Sequence, residues 1–110
     1  MADTKRFRER YGPWAIVAGA SEGLGAAYAR ALAQRGLNLV LVARRAEPLE
    51  KLAADLRVGL GIEVRCVVGD LAAAETFARL AAETSHREIG LLVYNAAHAP
   101  VGEFAAVDAD

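Results

Sequence analysis

The residues with chemical potential in this sequence are glycines and charged side chains set at the ends of apolar runs. From Val17 to Gly25 the chain reads VAGASEGLG, with Gly19, Gly23 and Gly25 in the spacing G-x-x-x-G-x-G. A tight turn leaving a strand needs a residue tolerant of unusual backbone angles, which Gly19 supplies. Gly23 lets a ligand approach the backbone, and Gly25 lets the following helix pack closely. The free N–H groups at Leu24 and its neighbours, with the helix dipole behind them, favour a phosphate. Ser21 and Glu22 lie inside the same loop. Its position, after an apolar run and before a helical pattern, gives the glycines their weight. The spacing is neither G-x-G-x-x-G nor a Walker loop, since no Gly-Lys-Ser/Thr follows. The plain alternative is a strand-to-helix turn whose glycines serve packing alone.

The end of the second apolar run refines the ligand. A site for NAD carries Asp or Glu there, about 20 residues past the glycines, bonded to the ribose 2′-hydroxyl. Here the chain reads Val42-Ala43-Arg44-Arg45. A guanidinium grips a 2′-phosphate where a carboxylate repels it. The expected cofactor is NADP(H) rather than NAD(H). Arg44 is expected to stack on adenine or pair with the phosphate, and Arg45 to face solvent. Two surface arginines at a helix entrance are the bland reading.

The elements that must position these residues follow from hydrophobic period. Trp14 to Gly19 is a short buried strand. From Gly23 to Arg35, Leu24, Ala27, Tyr28, Ala31 and Leu32 recur at helical spacing, and Gly36 stops the helix. Asn38 to Ala43 is a continuous apolar run, as in a strand covered on both faces. Pro48 opens a helix with Leu49, Leu52, Ala53 and Leu56 on one stripe, and Gly59 and Gly61 close it. Ile62 to Val68 alternates at first, which marks a strand with a wet face or edge. Ala72 to about Ser85 is a third helix, with Phe77, Leu80, Ala81 and Thr84 on one side. Leu91 to Asn95 is a fourth strand. Alternating strands and helices imply a parallel sheet with right-handed crossovers. The expected fold is α/β, a Rossmann-like doubly wound sheet of four strands in order 3-2-1-4. Residues 1–110 form one dinucleotide-binding half-domain, with 1–12 as a solvated leading segment.

Composition narrows the function classes. The 110 residues are 55% hydrophobic and 25% charged, which argues against disorder. The net charge of −1 provides no field toward nucleic acid or anionic membrane. No apolar run approaches the length of about 20 residues that a membrane span needs. The single cysteine, Cys66, reads as a core thiol in a reducing, cytoplasmic compartment. No His, Cys and acid cluster suggests a metal.

AGASEGLG, GDL and YNAA, at these separations, resemble the short-chain dehydrogenases/reductases. The resemblance runs from about Tyr11 to Asp110. Ala18 to Gly25 matches the family's TGxxxG[IL]G except at the threonine. The resemblance implies that Asp70, followed by Leu71, bonds adenine, and that Asn95, Ala96 and Ala97 close the fourth strand and line the cofactor. Three departures stand out: Ala18 for the threonine that ties the first strand to the fourth, and Tyr94 and Ala97 within NNAG. Glu22 stands where some NADP-preferring members carry a basic residue. The opening YGPWAIV resembles members that reduce lipid-like or steroid-like ketones.

Family chemistry is hydride transfer between the nicotinamide and a carbonyl or alcohol carbon. It uses a tyrosine and lysine as YxxxK, and a serine. Tyr11, Tyr28 and Tyr94 have no lysine four residues on, and the lysines are Lys5 and Lys51. Ser21 belongs to the glycine loop and Ser85 to a helix end. His86 and His98 read as surface residues. No catalytic residue is assigned. The expectation is the cofactor-binding half of an NADP(H)-dependent short-chain oxidoreductase, inactive by itself, with a substrate only if a C-terminal half exists. The alternative is a non-catalytic dinucleotide-binding or interaction module. A methyltransferase-like nucleotide site is disfavoured by Ala43-Arg44-Arg45. Leu91 to Tyr94 is expected to be a bare strand edge, open to a homodimer or a separate partner half.

Overall fold

The computed structural model describes residues 2–20 and 23–94. The order is α1 (Ala2–Tyr11), β1 (Trp14–Ala18), α2 (Gly23–Gln34), β2 (Asn38–Ala43), α3 (Ala46–Leu60), β3 (Val64–Val68), α4 (Ala74–Thr84) and β4 (Ile89–Tyr94). The four strands form one sheet in the order β3-β2-β1-β4, and every pairing is parallel. This is the doubly wound arrangement expected from the alternation of strands and helices.

Position in the sheet explains each strand's composition. β2 lies inside the sheet with both faces covered, and all six of its residues are buried. A strand so placed has no use for alternation, hence NLVLVA. β3 is an outer strand: Val64 and Val67 are buried while Arg65 is exposed. β4 is the other outer strand, and only Ile89, Leu91 and Val93 are half-buried.

The two sheet faces carry separate cores. Ala15, Val17, Leu39, Leu41 and Val64 face α2 and α3, meeting Ala29, Leu32, Leu49, Leu52 and Leu56. Trp14, Ala18, Val40, Val42 and Val67 form the opposite core, with Leu80 of α4, Ile16, Leu71 and Ile89 packed against them. α3 ends at Gly61, which takes φ 67° and donates its N–H to the Arg57 carbonyl at 3.1 Å. That left-handed cap favours glycine because a Cβ opposes it.

Four expectations need correction. Residues 1–12 are not merely a solvated leader, because Ala2–Tyr11 form α1. This helix has no apolar period to announce it. It is capped by the Gly12 N–H on the Arg8 carbonyl, and its last residue lies against Gly90, where a Cβ would stand 2.2 Å from the Tyr11 carbonyl oxygen. Second, α2 buries Gly25, Ala29, Leu32 and Ala33, while Ala27, Tyr28 and Ala31 are exposed. In an alanine-rich helix nearly every face is apolar, so close approach by small residues selects the inner one. Third, α4 turns Thr76 inward at 1% exposure and leaves Phe77 59% exposed. Fourth, the fourth strand starts two residues earlier than expected, at Ile89.

Candidate dinucleotide site

The C-terminal ends of the strands bring the sequence candidates to one rim. β1 leaves the sheet at Gly19, whose φ is 78°. The N–H groups of Gly19 and Ala20 both reach the Val42 carbonyl, at 2.8 and 3.2 Å. Gly69 N–H reaches the Ala43 carbonyl at 2.9 Å. The turns after β1 and β3 are therefore both tied to the end of β2, and the three exits move as one frame.

The two later glycines of the loop do different work. A Cβ on Gly25 would lie 1.8 Å from the Gly19 carbonyl oxygen. No rearrangement of a side chain relieves that clash, since both partners are backbone. Gly25 lets α2 start directly over the β1 exit. Gly23, at φ 62°, has nothing within 4 Å of a built Cβ. Among the described residues nothing covers this start of α2, and the first N–H groups of the helix have no intrahelical acceptor. Leu24 beside it is 59% exposed. Helix starts of this kind favour a negative charge through their free N–H groups and the helix dipole.

Arg44 and Arg45 follow the last residue of β2, and both are exposed. Arg45 occupies the N-cap position of α3 with extended backbone and no side-chain cap, and it is engaged in an interaction of its own. Arg44 makes no ion pair among the described residues. Its guanidinium is therefore the uncommitted one of the pair.

The β3–α4 turn carries Asp70 and Leu71. The Asp70 Oδ1 accepts the Ala72 N–H at 2.9 Å, an Asx turn that orients the carboxylate. The second carboxylate oxygen, Oδ2, meets no donor among the described residues. Leu71 points into the α4-side core and fixes the turn from below. Thus Gly19, Gly23, Leu24, Gly25, Arg44, Arg45, Asp70 and Leu71 share the rim, while Ser21, Glu22, Asn95, Ala96 and Ala97 lie outside the described residues.

Two departures from the family pattern lie opposite each other in the sheet. Ala18 and Tyr94 are direct partners in the β1–β4 register. Ala18 is buried at 2% exposure, and no buried side-chain polar atom among the described residues lacks a partner. The apolar Ala18 side chain brings no polar atom to that buried position. Sequence spacing alone missed this pairing, because the register across a parallel sheet is not written in either strand. It also missed Arg79, whose Nη2 donates to the Val68 carbonyl at 2.5 Å from α4.

Cys66 sits mid-strand in β3, half-buried against the α3 side. Burial, with the Glu50 carboxylate nearby, pushes its thiol up to about 11 against a partial counter-effect from Arg57. It is a packing thiol, as expected. No group of His, Cys, Asp and Glu among the described residues could hold a metal, and no helix among them is long and apolar enough to cross a membrane.

Comparison with known proteins agrees with this geometry. The family model for short chain dehydrogenase matches residues 13–110. The chain is 41% identical over 102 residues to a 7beta-hydroxysteroid dehydrogenase of Clostridium sardiniense, covering 93% of this chain and 39% of that protein. The chain thus spans well under half the length of this relative. A solved structure of a 7beta-hydroxysteroid dehydrogenase superposes with TM-score 0.77 at 36% identity, covering 82% of this chain and 35% of the other. A short-chain dehydrogenase from Sphingobium yanoikuyae in complex with NADPH superposes with TM-score 0.66 at 40% identity, covering 73% of this chain and 32% of that one. With a matching family model over nearly its whole length, a sheet in the order 3-2-1-4 and a glycine turn at the end of β1, the chain belongs to the short-chain dehydrogenase family.

Proposed function

We propose that this chain binds NADP(H) along the rim formed by β1, β2 and β3, as the cofactor-binding part of a short-chain oxidoreductase. The observation that carries the choice of NADP(H) is the uncommitted, exposed Arg44 where an NAD site carries an acid. The NADPH complex of the Sphingobium yanoikuyae relative supports the same choice. Each part of the rim has a task. The start of α2, open above Gly23, receives the pyrophosphate. Arg44 pairs with the 2′-phosphate or stacks on adenine, Arg45 flanks it, and Asp70 offers Oδ2 to the adenine amino group. Ser21, Glu22, Asn95, Ala96 and Ala97 complete the lining, on the strength of the family resemblance. When bound, the nicotinamide supplies hydride exchange with a carbonyl or alcohol carbon. The residues of this chain bind and orient the dinucleotide. No Tyr-x-x-x-Lys pair is among them to move the proton. Steroid-like ketones and alcohols are the first substrates to test, given the name of the Clostridium sardiniense relative and the resemblance of YGPWAIV.

The test is a pair of titrations, NADPH and NADH, on the purified protein and on Arg44→Glu. The expected result is at least about 10-fold tighter binding of NADPH, on the order of 1.4 kcal/mol. The variant should lose that preference while keeping NADH within about 3-fold, a change near 0.6 kcal/mol. Equal affinities for the two dinucleotides in the unmodified protein would overturn the NADP(H) reading.

A further inference from the structure

We infer that Arg79, on α4, is a positioning residue for the adenine end of the dinucleotide, acting through the turn that carries Asp70. Among the described residues β3 is an outer strand, so the carbonyl of its last residue, Val68, has no further strand there to pair with. Arg79 takes that role: its Nη2 donates to the Val68 oxygen at 2.5 Å. The contact is charge-assisted, and such bonds are about twice as strong as neutral ones. It falls two residues before Asp70.

A second observation shows how closely α4 grips this turn. A Cβ on Gly69 would lie 2.4 Å from Thr76 Oγ1 and 2.8 Å from Arg79 Nη2. Thr76 and Arg79 are three residues apart, so they lie on one helix face. Thr76 is 1% exposed and supports Gly69 from below, while Arg79 reaches past it to the strand end. Gly69 is fixed on its other side by its N–H on the Ala43 carbonyl at 2.9 Å. The backbone on both sides of Gly69 is thus pinned, and the Asx turn at Asp70 starts from a set position. Remove the Arg79 donor and the Val68 carbonyl must find water. The turn then gains freedom, and the Asp70 carboxylate must be re-ordered when a ligand binds. The cost falls on binding.

The inference rests on the dinucleotide reading above, and the experiment separates the two. NADPH affinity is measured for the unmodified protein, Arg79→Met, Arg79→Lys, Asp70→Ala and the double variant Arg79→Met/Asp70→Ala. All are held at a temperature where far-UV circular dichroism shows each folded. Arg79→Met should weaken NADPH by about 3- to 10-fold, and Arg79→Lys, which keeps a donor, by less than about 2-fold. The double variant should bind no worse than Asp70→Ala alone, because Arg79 acts through Asp70. If the effects of Arg79→Met and Asp70→Ala multiply, or if Arg79→Met binds within 2-fold of the unmodified protein, the positioning role is overturned. A merely structural arginine would lower the melting temperature of Arg79→Met and leave its affinity unchanged. If the unmodified protein itself fails to bind NADPH, the dinucleotide reading falls and takes this inference with it.

Discussion

The two ends of the sheet are built from the same four strands and finished in opposite ways. At the N-terminal end the protein satisfies its own polar groups. The Trp14 N–H meets the Glu88 carbonyl at 3.2 Å and the Asn38 N–H meets the Pro13 carbonyl at 2.9 Å. The Asn38 Oδ1 accepts the Glu63 N–H at 3.0 Å, and Arg57 donates through Nε and Nη2 to the Val64 carbonyl. The Arg87 guanidinium lies 4.7 Å from the centre of the Trp14 ring and donates to the Glu83 carbonyl. At the C-terminal end the turns are glycines, and among the described residues nothing covers the start of α2, Arg44 makes no ion pair and one Asp70 oxygen meets no donor. In the reading proposed above, the closed end stabilises the fold and the open end receives the dinucleotide. Unpaired polar groups on a rigid rim cost little in water and gain partners when a charged ligand arrives.

The contrast can be broken by substitution at either end, and the largest effect belongs to the open one. Gly25→Val places side-chain atoms where the Gly19 backbone already stands, 1.8 Å from a built Cβ. It should abolish NADPH binding and destabilise the fold by more than about 3 kcal/mol, well beyond a typical single substitution. Calorimetric unfolding with an NADPH titration checks both. An intact binding curve would show that the loop can shift as a body.

The closed end should respond differently. Asn38→Leu removes the acceptor for the Glu63 N–H at a buried position. It should cost about 1–3 kcal/mol, the range for orphaning a buried polar group. NADPH affinity, corrected to the folded fraction, should remain within about 2-fold, or about 0.4 kcal/mol. Urea denaturation measures the first and titration the second. A large loss of affinity at constant stability would mean the two ends communicate through β2.

The smallest effect belongs to the middle of the outer strand β3, between the two ends. The thiol of Cys66 is raised from 9.0 to about 11 in the fold. Between those values the unfolded chain releases a proton that the folded chain retains. Unfolding is then favoured as pH rises, and stability falls from about pH 9 to pH 11. Partial exposure reduces the effect to about 1 kcal/mol. Cys66→Ala should flatten that part of the stability profile without changing the neutral-pH slope, as followed by urea midpoints across the range.

Much of the fold was legible in the residues themselves. Short apolar runs alternating with helical periods marked the strands and helices from β1 onward, and NLVLVA marked the inner strand because a doubly covered strand needs no polar face. Gly19 and Gly25 were legible as a turn and a close approach, since no other residue type meets either demand. α1 was not legible, because its hold on the body comes from a capping turn and from Gly90, some 80 residues on. The inner faces of α2 and α4 were misread for a related reason. With alanine on every side, or a lone phenylalanine nearby, hydrophobicity does not choose a face.

By itself, then, the sequence determined the order of elements from β1 onward, the glycine turn, the arginine pair after β2 and the motif residues that resemble a family, because those depend on near neighbours and on residue type. The tertiary structure decided what depends on distant chain segments meeting. It set Ala18 opposite Tyr94, tied the β1 and β3 exits to the end of β2, and brought Arg79 from α4 to the last carbonyl of β3. The reason is physical. Backbone angle and hydrophobic period act over a few residues, whereas strand register and a long side chain's reach exist only once the sheet has formed.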